Sequence, residues 1–161
     1  MALLFKAKIF LEALKNGNFA IQNTFGGNYM SQLDKLRELN RHSGFNEHNG
    51  IKITQLEDDF CVVEAELRDE AMNPWEMAHG GFVYSLCDVA AGVASGGILR
   101  RVVTLSSSMY FMRPSTGTKL RAEGRIVKKG KTVIVAEAVV YDDQNRPTAR
   151  GNFEYFDVGD K

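Results

Sequence analysis

Cysteine is scarce in this chain. Cys61 and Cys87 are the only two among 161 residues, they have no metal-ligand spacing, and they make no disulfide framework, so a reducing, cytoplasmic setting is the default expectation. Net charge is missing too: 20 Lys and Arg balance 20 Asp and Glu, and no overall basic field points to nucleic acid or an anionic membrane. His42, His48 and His79 share no ligand spacing, so no metal site is expected. No apolar run reaches membrane-spanning length. The start of the chain is a poor secretory signal, because Lys6 and Lys8 break its apolar run and no cleavage region of small residues follows. Internal repeats, low-complexity tracts and βαβ alternation are all absent. What remains is ordinary for a soluble globular protein, with 44% apolar and 25% charged residues.

Leu3, Ala7, Phe10, Leu11 and Leu14 share a helical face that Asn16-Gly17 ends, and a polar, glycine-rich stretch runs on to Asn28. Residues 1–30 therefore read as a helical extension with a linker, and 31–161 as a single domain. Ser31 and Asp34 form a capping-box pattern for a short helix edged by Leu33, Leu36 and Leu39, which Ser43-Gly44 is expected to stop. From Gly50 the period changes to two. Ile51 to Leu56 and Phe60 to Leu67 make a hairpin about Glu57-Asp58-Asp59, and four more strands are expected over Val102–Met112, Thr118–Lys128, Thr132–Tyr141 and Arg146–Phe156. The breaks between these four all carry turn chemistry. Thr132–Tyr141 is apolar on both faces, as a central strand would be. The expected class is α+β, with one antiparallel sheet curled round one long helix.

That helix spans His79 to Ser95. Apolar or small residues occupy nearly all its faces, the pattern of a helix enclosed by protein, and Asp88 is its one carboxylate. A lone carboxylate there is either matched by a partner or kept for chemistry. Gly81, Ser85, Asp88, Gly92 and Ser95 recur at helical spacing along one narrow stripe, which leaves room beside Asp88 for something thin and extended. At the front, Gly80-Gly81 lets a ligand approach free backbone N–H groups, where the helix dipole favours negative charge, and a developing oxyanion fits there. Asp88 lies about 10 Å along the axis from the Gly81 end, too far for one carbonyl to touch both, so two chains would have to share a site.

Asn73-Pro74-Trp75-Glu76-Met77-Ala78-His79-Gly80-Gly81 followed by Asp88 resembles the hotdog-fold acyl-CoA thioesterases, in particular the phenylacetate-degradation type. The likeness runs from about Gly50 to Phe156 and includes the strand from Thr104 to Pro114 and the Lys129-Gly130-Lys131-Thr132 turn. It implies a hotdog fold, a homodimer or dimer of dimers, and hydrolysis of an acyl-CoA. By the resemblance, Asp88 would be nucleophile or general base, and the Gly80 N–H, with Gly81 adjacent, would polarise the thioester carbonyl. The family pattern makes Asn73 a candidate for positioning water or the carboxylate, although an Asn before proline also suits a turn. His79, just before the helix, suits an orienting hydrogen bond better than general-base work. The resemblance also places a hydroxyl at Thr104, with Ser106, Ser107 and Ser108 close by as alternatives.

Lys128, Lys129 and Lys131, with Gly130 at the hairpin turn, are the expected contact for coenzyme A phosphates, although a solvated tip explains them more simply. Coenzyme A enters as part of the substrate, and no separate cofactor is expected. Cys87 beside Asp88 suggests a thiol nucleophile, but neighbouring helical positions point about 100° apart and a buried Cys is usually inert. Two rival functions remain open at this point. A hydratase or dehydratase would need an acid–base pair on one substrate carbon, whereas His79 and Asp88 fall on opposite helical faces. A non-catalytic acyl-CoA-binding protein is the other.

Overall fold

A computed structural model describes residues 31–96 and 100–159. The helical pattern of Leu3 to Leu14 and the linker after it lie outside the described residues. Ser31 accepts from the Asp34 N–H and donates to its carboxylate, starting α1 (Gln32–Arg41) as the capping pattern requires. Ser43-Gly44 does more than stop α1. The Ser43 side chain accepts from the Asn46 N–H and begins a second short helix, α2 (Gly44–His48). Arg37 and Asn40 of α1 donate to the backbone carbonyls of Ile53 and Ile51, fastening this unit to the start of the sheet.

The strands are β1 (Lys52–Glu57), β2 (Phe60–Glu66), β3 (Val102–Phe111), β4 (Lys119–Lys129), β5 (Val133–Tyr141) and β6 (Pro147–Asp157). They form one antiparallel sheet in the order β1-β2-β4-β5-β6-β3, so β5 is interior, as its apolar faces required, and β3 is an edge. The long helix, α3 (Gly80–Gly96), lies across β2, β4, β5 and β6. Leu120, Ala122, Ile134, Ala136, Ala138, Val140 and Phe153 face it from the sheet, and Phe82, Val83, Leu86, Cys87, Ala90 and Ala91 face the sheet from the helix. No helix among the described residues is long and apolar enough to cross a membrane.

The helix is not enclosed on all sides, contrary to expectation. Gly80 and Gly81 are exposed and Tyr84, Ser85, Asp88, Val89, Gly92 and Val93 are half-buried, so the sheet of one chain leaves a stripe open. Ser95 departs from that stripe and is buried. Over fourteen residues a 3.6-residue period drifts by about 40°, enough to carry it round.

The helix sits very close to the sheet at one point. A Cβ added at Gly124 in β4 would lie 2.3 Å from the backbone carbon of Ala90. Only glycine allows this approach, and rigid backbone on both sides leaves little room to relax. Gly124→Ala is therefore expected to cost about 2 kcal/mol or more of stability, measured by urea unfolding; a change within about 0.5 kcal/mol would contradict this seat for the helix.

Candidate active site

Asp88 projects from the open side of α3 and is met by the sheet edge. Thr104 in β3 pairs with Tyr155 in β6, so the two side chains stand side by side on the helix-facing surface. The Thr104 hydroxyl donates to Asp88 Oδ1 at 2.8 Å. The Tyr155 phenol donates to the Asp88 backbone carbonyl at 2.8 Å and lies 3.1 Å from the same Oδ1. No described residue hydrogen-bonds Oδ2. A bulge follows at once, for the register of β3 on β6 shifts between Thr104 and Ser106. It takes Leu105 out of step, so that Ser107, Met109 and Phe111 come to face the helix along with Thr104. Ser107 bonds the Tyr84 hydroxyl at 2.8 Å. The structure thus brings Thr104 to the carboxylate, whereas Ser106 and Ser108 pair with outward residues of β6.

The other predicted residues gather at the far end of the same helix. His79 Nδ1 accepts from the Gly81 N–H at 3.0 Å, so the imidazole caps the helix and its proton sits on Nε2. This corrects the expectation of two free donors, because Gly81 is taken. The Gly80 N–H has no partner among the described residues, and Gly80 is exposed. Ser85 donates back to the Gly81 carbonyl at 2.8 Å rather than into the open stripe. Asn73 is a turn residue in part: its Oδ1 accepts from the N–H groups of Trp75, at 2.9 Å, and Met77, at 3.3 Å.

Two clefts result. Gly80 and Asn73 line one of about 360 Å³ with Met77, Val83, Phe111 and Met112. Asp88, Thr104 and Tyr155 line another of about 440 Å³, walled by Val89, Gly92, Val93 and Val102 and rimmed by Arg100 and Arg101. Gly80 and Asp88 are about 12 Å apart along the axis at 1.5 Å per residue. The chain therefore holds an unpaired donor and a carboxylate in separate clefts, one at each end of β3.

The Lys128–Lys131 hairpin lines neither cleft. Lys129 pairs with Asp59 at 3.4 Å, and Lys128 and Lys131 are exposed. Lys129, Ile134 and Tyr155 follow one another across the sheet, which puts the hairpin two strands, roughly 10 Å at 4.8 Å per strand, from the Tyr155 wall of the Asp88 cleft. Tyr155 is the residue that sequence reasoning missed. A signal was present, since it is the one phenol on the inward face Ala149, Gly151, Phe153, Tyr155, and a buried tyrosine hydroxyl needs a partner.

The profile of the thioesterase superfamily matches residues 76–149. A candidate esterase of Thermoplasma volcanium is 30% identical over 115 residues, covering 66% of this chain and 85% of that protein. The acyl-coenzyme A thioesterase PaaI of Escherichia coli is 27% identical over 101 residues, covering 62% of this chain and 72% of that protein. Among solved structures, smu.793 of Streptococcus mutans, bound to acetyl CoA, is 28% identical and superposes with a TM-score of 0.63 over 69% of this chain and 90% of that one. The matched residues take in the end of the Asn73 turn, all of α3 and the strands through Ala149.

Cys87 gives no support to a thiol mechanism. It is fully buried on the sheet side of the helix, and burial, with a smaller contribution from the Asp88 charge, pushes its thiol up to about 12. Burial alone does the same to Cys61. Both thiols are expected to resist a disulfide reagent at pH 8 in the folded protein and to react fully in denaturant. Rapid titration of one thiol under native conditions would contradict this.

Proposed function

The chain belongs to the thioesterase superfamily, and from that membership we propose that it hydrolyses an acyl-coenzyme A thioester to a free acid and coenzyme A, in a site shared by two copies of the chain. The observation that carries this reading is the pair of half-sites at opposite ends of one edge strand. Phe111 packs by Gly80 and Thr104 holds Asp88, so the midpoint of β3 between the two clefts falls at Ser107-Ser108. The strand has no neighbour on its free side among the described residues, and Leu105 and Tyr110 are exposed along it. An apolar edge of this kind is a site for strand pairing. A second copy paired antiparallel about a two-fold at that midpoint would set its Gly80 beside the first copy's Asp88, and the reverse.

In the combined site the thioester oxygen accepts the Gly80 N–H at the helix N-terminus, where the dipole stabilises the negative charge that develops as the carbonyl becomes tetrahedral. Asp88 of the other copy attacks the carbonyl carbon or takes a proton from the attacking water. Attack by Asp88 expels the thiolate of coenzyme A, which takes a proton from water, and leaves an acyl-aspartyl anhydride that a second water hydrolyses to the acid and free Asp88. General-base attack adds water directly, and the proton that Asp88 takes passes to the departing thiolate. The acyl group lies along the open stripe of α3, against Val89, Gly92 and Val93. Asn73, with its carbonyl oxygen held in the turn, keeps its amide N–H groups for the substrate or the water. Lys128 and Lys131 supply cations toward the phosphates of coenzyme A.

Thiol release from a panel of acyl-CoA substrates is expected, with no absorbance change on enoyl-CoA. Asp88→Asn should lower kcat about a hundredfold or more, on the scale of a lost general base. Near-full turnover by that variant would contradict the role given to Asp88.

A further inference from the structure

We infer that Tyr155 is a positioning residue for Asp88: with Thr104 it holds Oδ1 in place and leaves Oδ2 as the oxygen that acts on the thioester. The inference rests on the reading of Asp88 as the reacting carboxylate. It concerns which of its two oxygens reacts, and what fixes that choice.

Several observations converge. Thr104 and Tyr155 are cross-strand partners, so one register places both hydroxyls at the same carboxylate oxygen. The phenol's one O–H is shared between Oδ1, at 3.1 Å, and the Asp88 backbone carbonyl, at 2.8 Å, and so ties the side chain to its own helix and restricts its rotation. The ring itself is fixed. It is 2% exposed and stacks on Phe153 with centroids 6.1 Å apart and planes at 15°. On its other side Gly92, one turn after Asp88, makes room, since a Cβ there would lie 3.3 Å from the ring. Burial, then the Asp88 charge, pushes the phenol well above its ordinary range, so it stays protonated and remains a donor. Thr104, by contrast, is exposed on the edge strand, where water competes with its hydrogen bond to Oδ1. Two donors on one oxygen draw charge to it and leave the other oxygen bare on the cleft side.

Tyr155→Phe removes the hydroxyl and keeps the ring. Its kcat is expected to fall about tenfold or more, the factor one charge-assisted hydrogen bond carries, with KM within about twofold of wild type. The acidic limb of kcat/KM against pH should move to higher pH, because a carboxylate that loses a donor is easier to protonate. An unmoved acidic limb, whether kcat falls or not, would overturn the inference and reduce Tyr155 to packing. If the Phe variant does not fold, fluorinated tyrosines placed at 155 keep the ring and strengthen the donor, and the acidic limb should step to lower pH with each fluorine. No dependence on fluorination would equally overturn it. Asp88→Asn assayed alongside separates the two layers. An inactive Asn variant beside a wild-type-like Phe variant sinks this inference alone, whereas an active Asn variant removes the reading of Asp88 and this inference with it.

Discussion

The carboxylate of Asp88 sits half-buried on a helix whose sheet-facing side is apolar, and leaving it unpaired there costs several kcal/mol. The edge of the sheet is registered to meet that need. Pairing Thr104 with Tyr155 brings two hydroxyls to Oδ1, and the bulge at Leu105 resets the alternation so that Ser107, Met109 and Phe111 follow along the helix. Phe111 thereby reaches Gly80 at the other end. One strand thus connects the two half-sites, and its register decides where both lie.

The helix can be so placed because Gly124 lets Ala90 rest directly on β4. Small residues on the sheet-facing side trade side-chain burial for closeness, and that closeness holds the open stripe at the sheet edge rather than above it. At the N-terminus, His79 occupies the Gly81 N–H and so singles out Gly80 as the free donor. Hydrogen bonds therefore select one atom at each end: a backbone nitrogen at one, a carboxylate oxygen at the other. Because the helix is rigid, the distance between them is fixed, and a symmetry-related copy is the simple way to close it.

Much of this was legible in the chain. Every strand began and ended within a residue or two of its expected place, because alternation and turn chemistry agree along this half of the sequence. Asp88 stood out as a lone carboxylate on an apolar helix, and the spaced Asn73, His79 and Asp88 pattern carried the family. Cross-strand register was not legible. A strict period of two would put Thr104, Ser106 and Ser108 on one face, and nothing in the residues announces the bulge that selects Thr104 and Ser107 instead. Tyr155 was hidden for the same reason, its partner lying 67 residues away. The capping of Gly81 by His79 depends on a side-chain rotamer, and the second helix at Ser43 on a stop signal that also serves as a cap.

The claim that two copies build each site is tested most directly by subunit mixing. Gly80→Pro removes the proposed donor N–H at the first position of the helix, where proline fits and its Cβ would meet only the Phe111 ring, at 3.7 Å. Asp88→Asn removes the carboxylate. Each homodimer should be inactive, yet a heterodimer holds one site with both defects and one with neither. After unfolding and refolding equal amounts together, about a quarter of wild-type turnover per chain should return, given random pairing. Heterodimers confirmed by native mass spectrometry that still release no thiol would contradict the shared site.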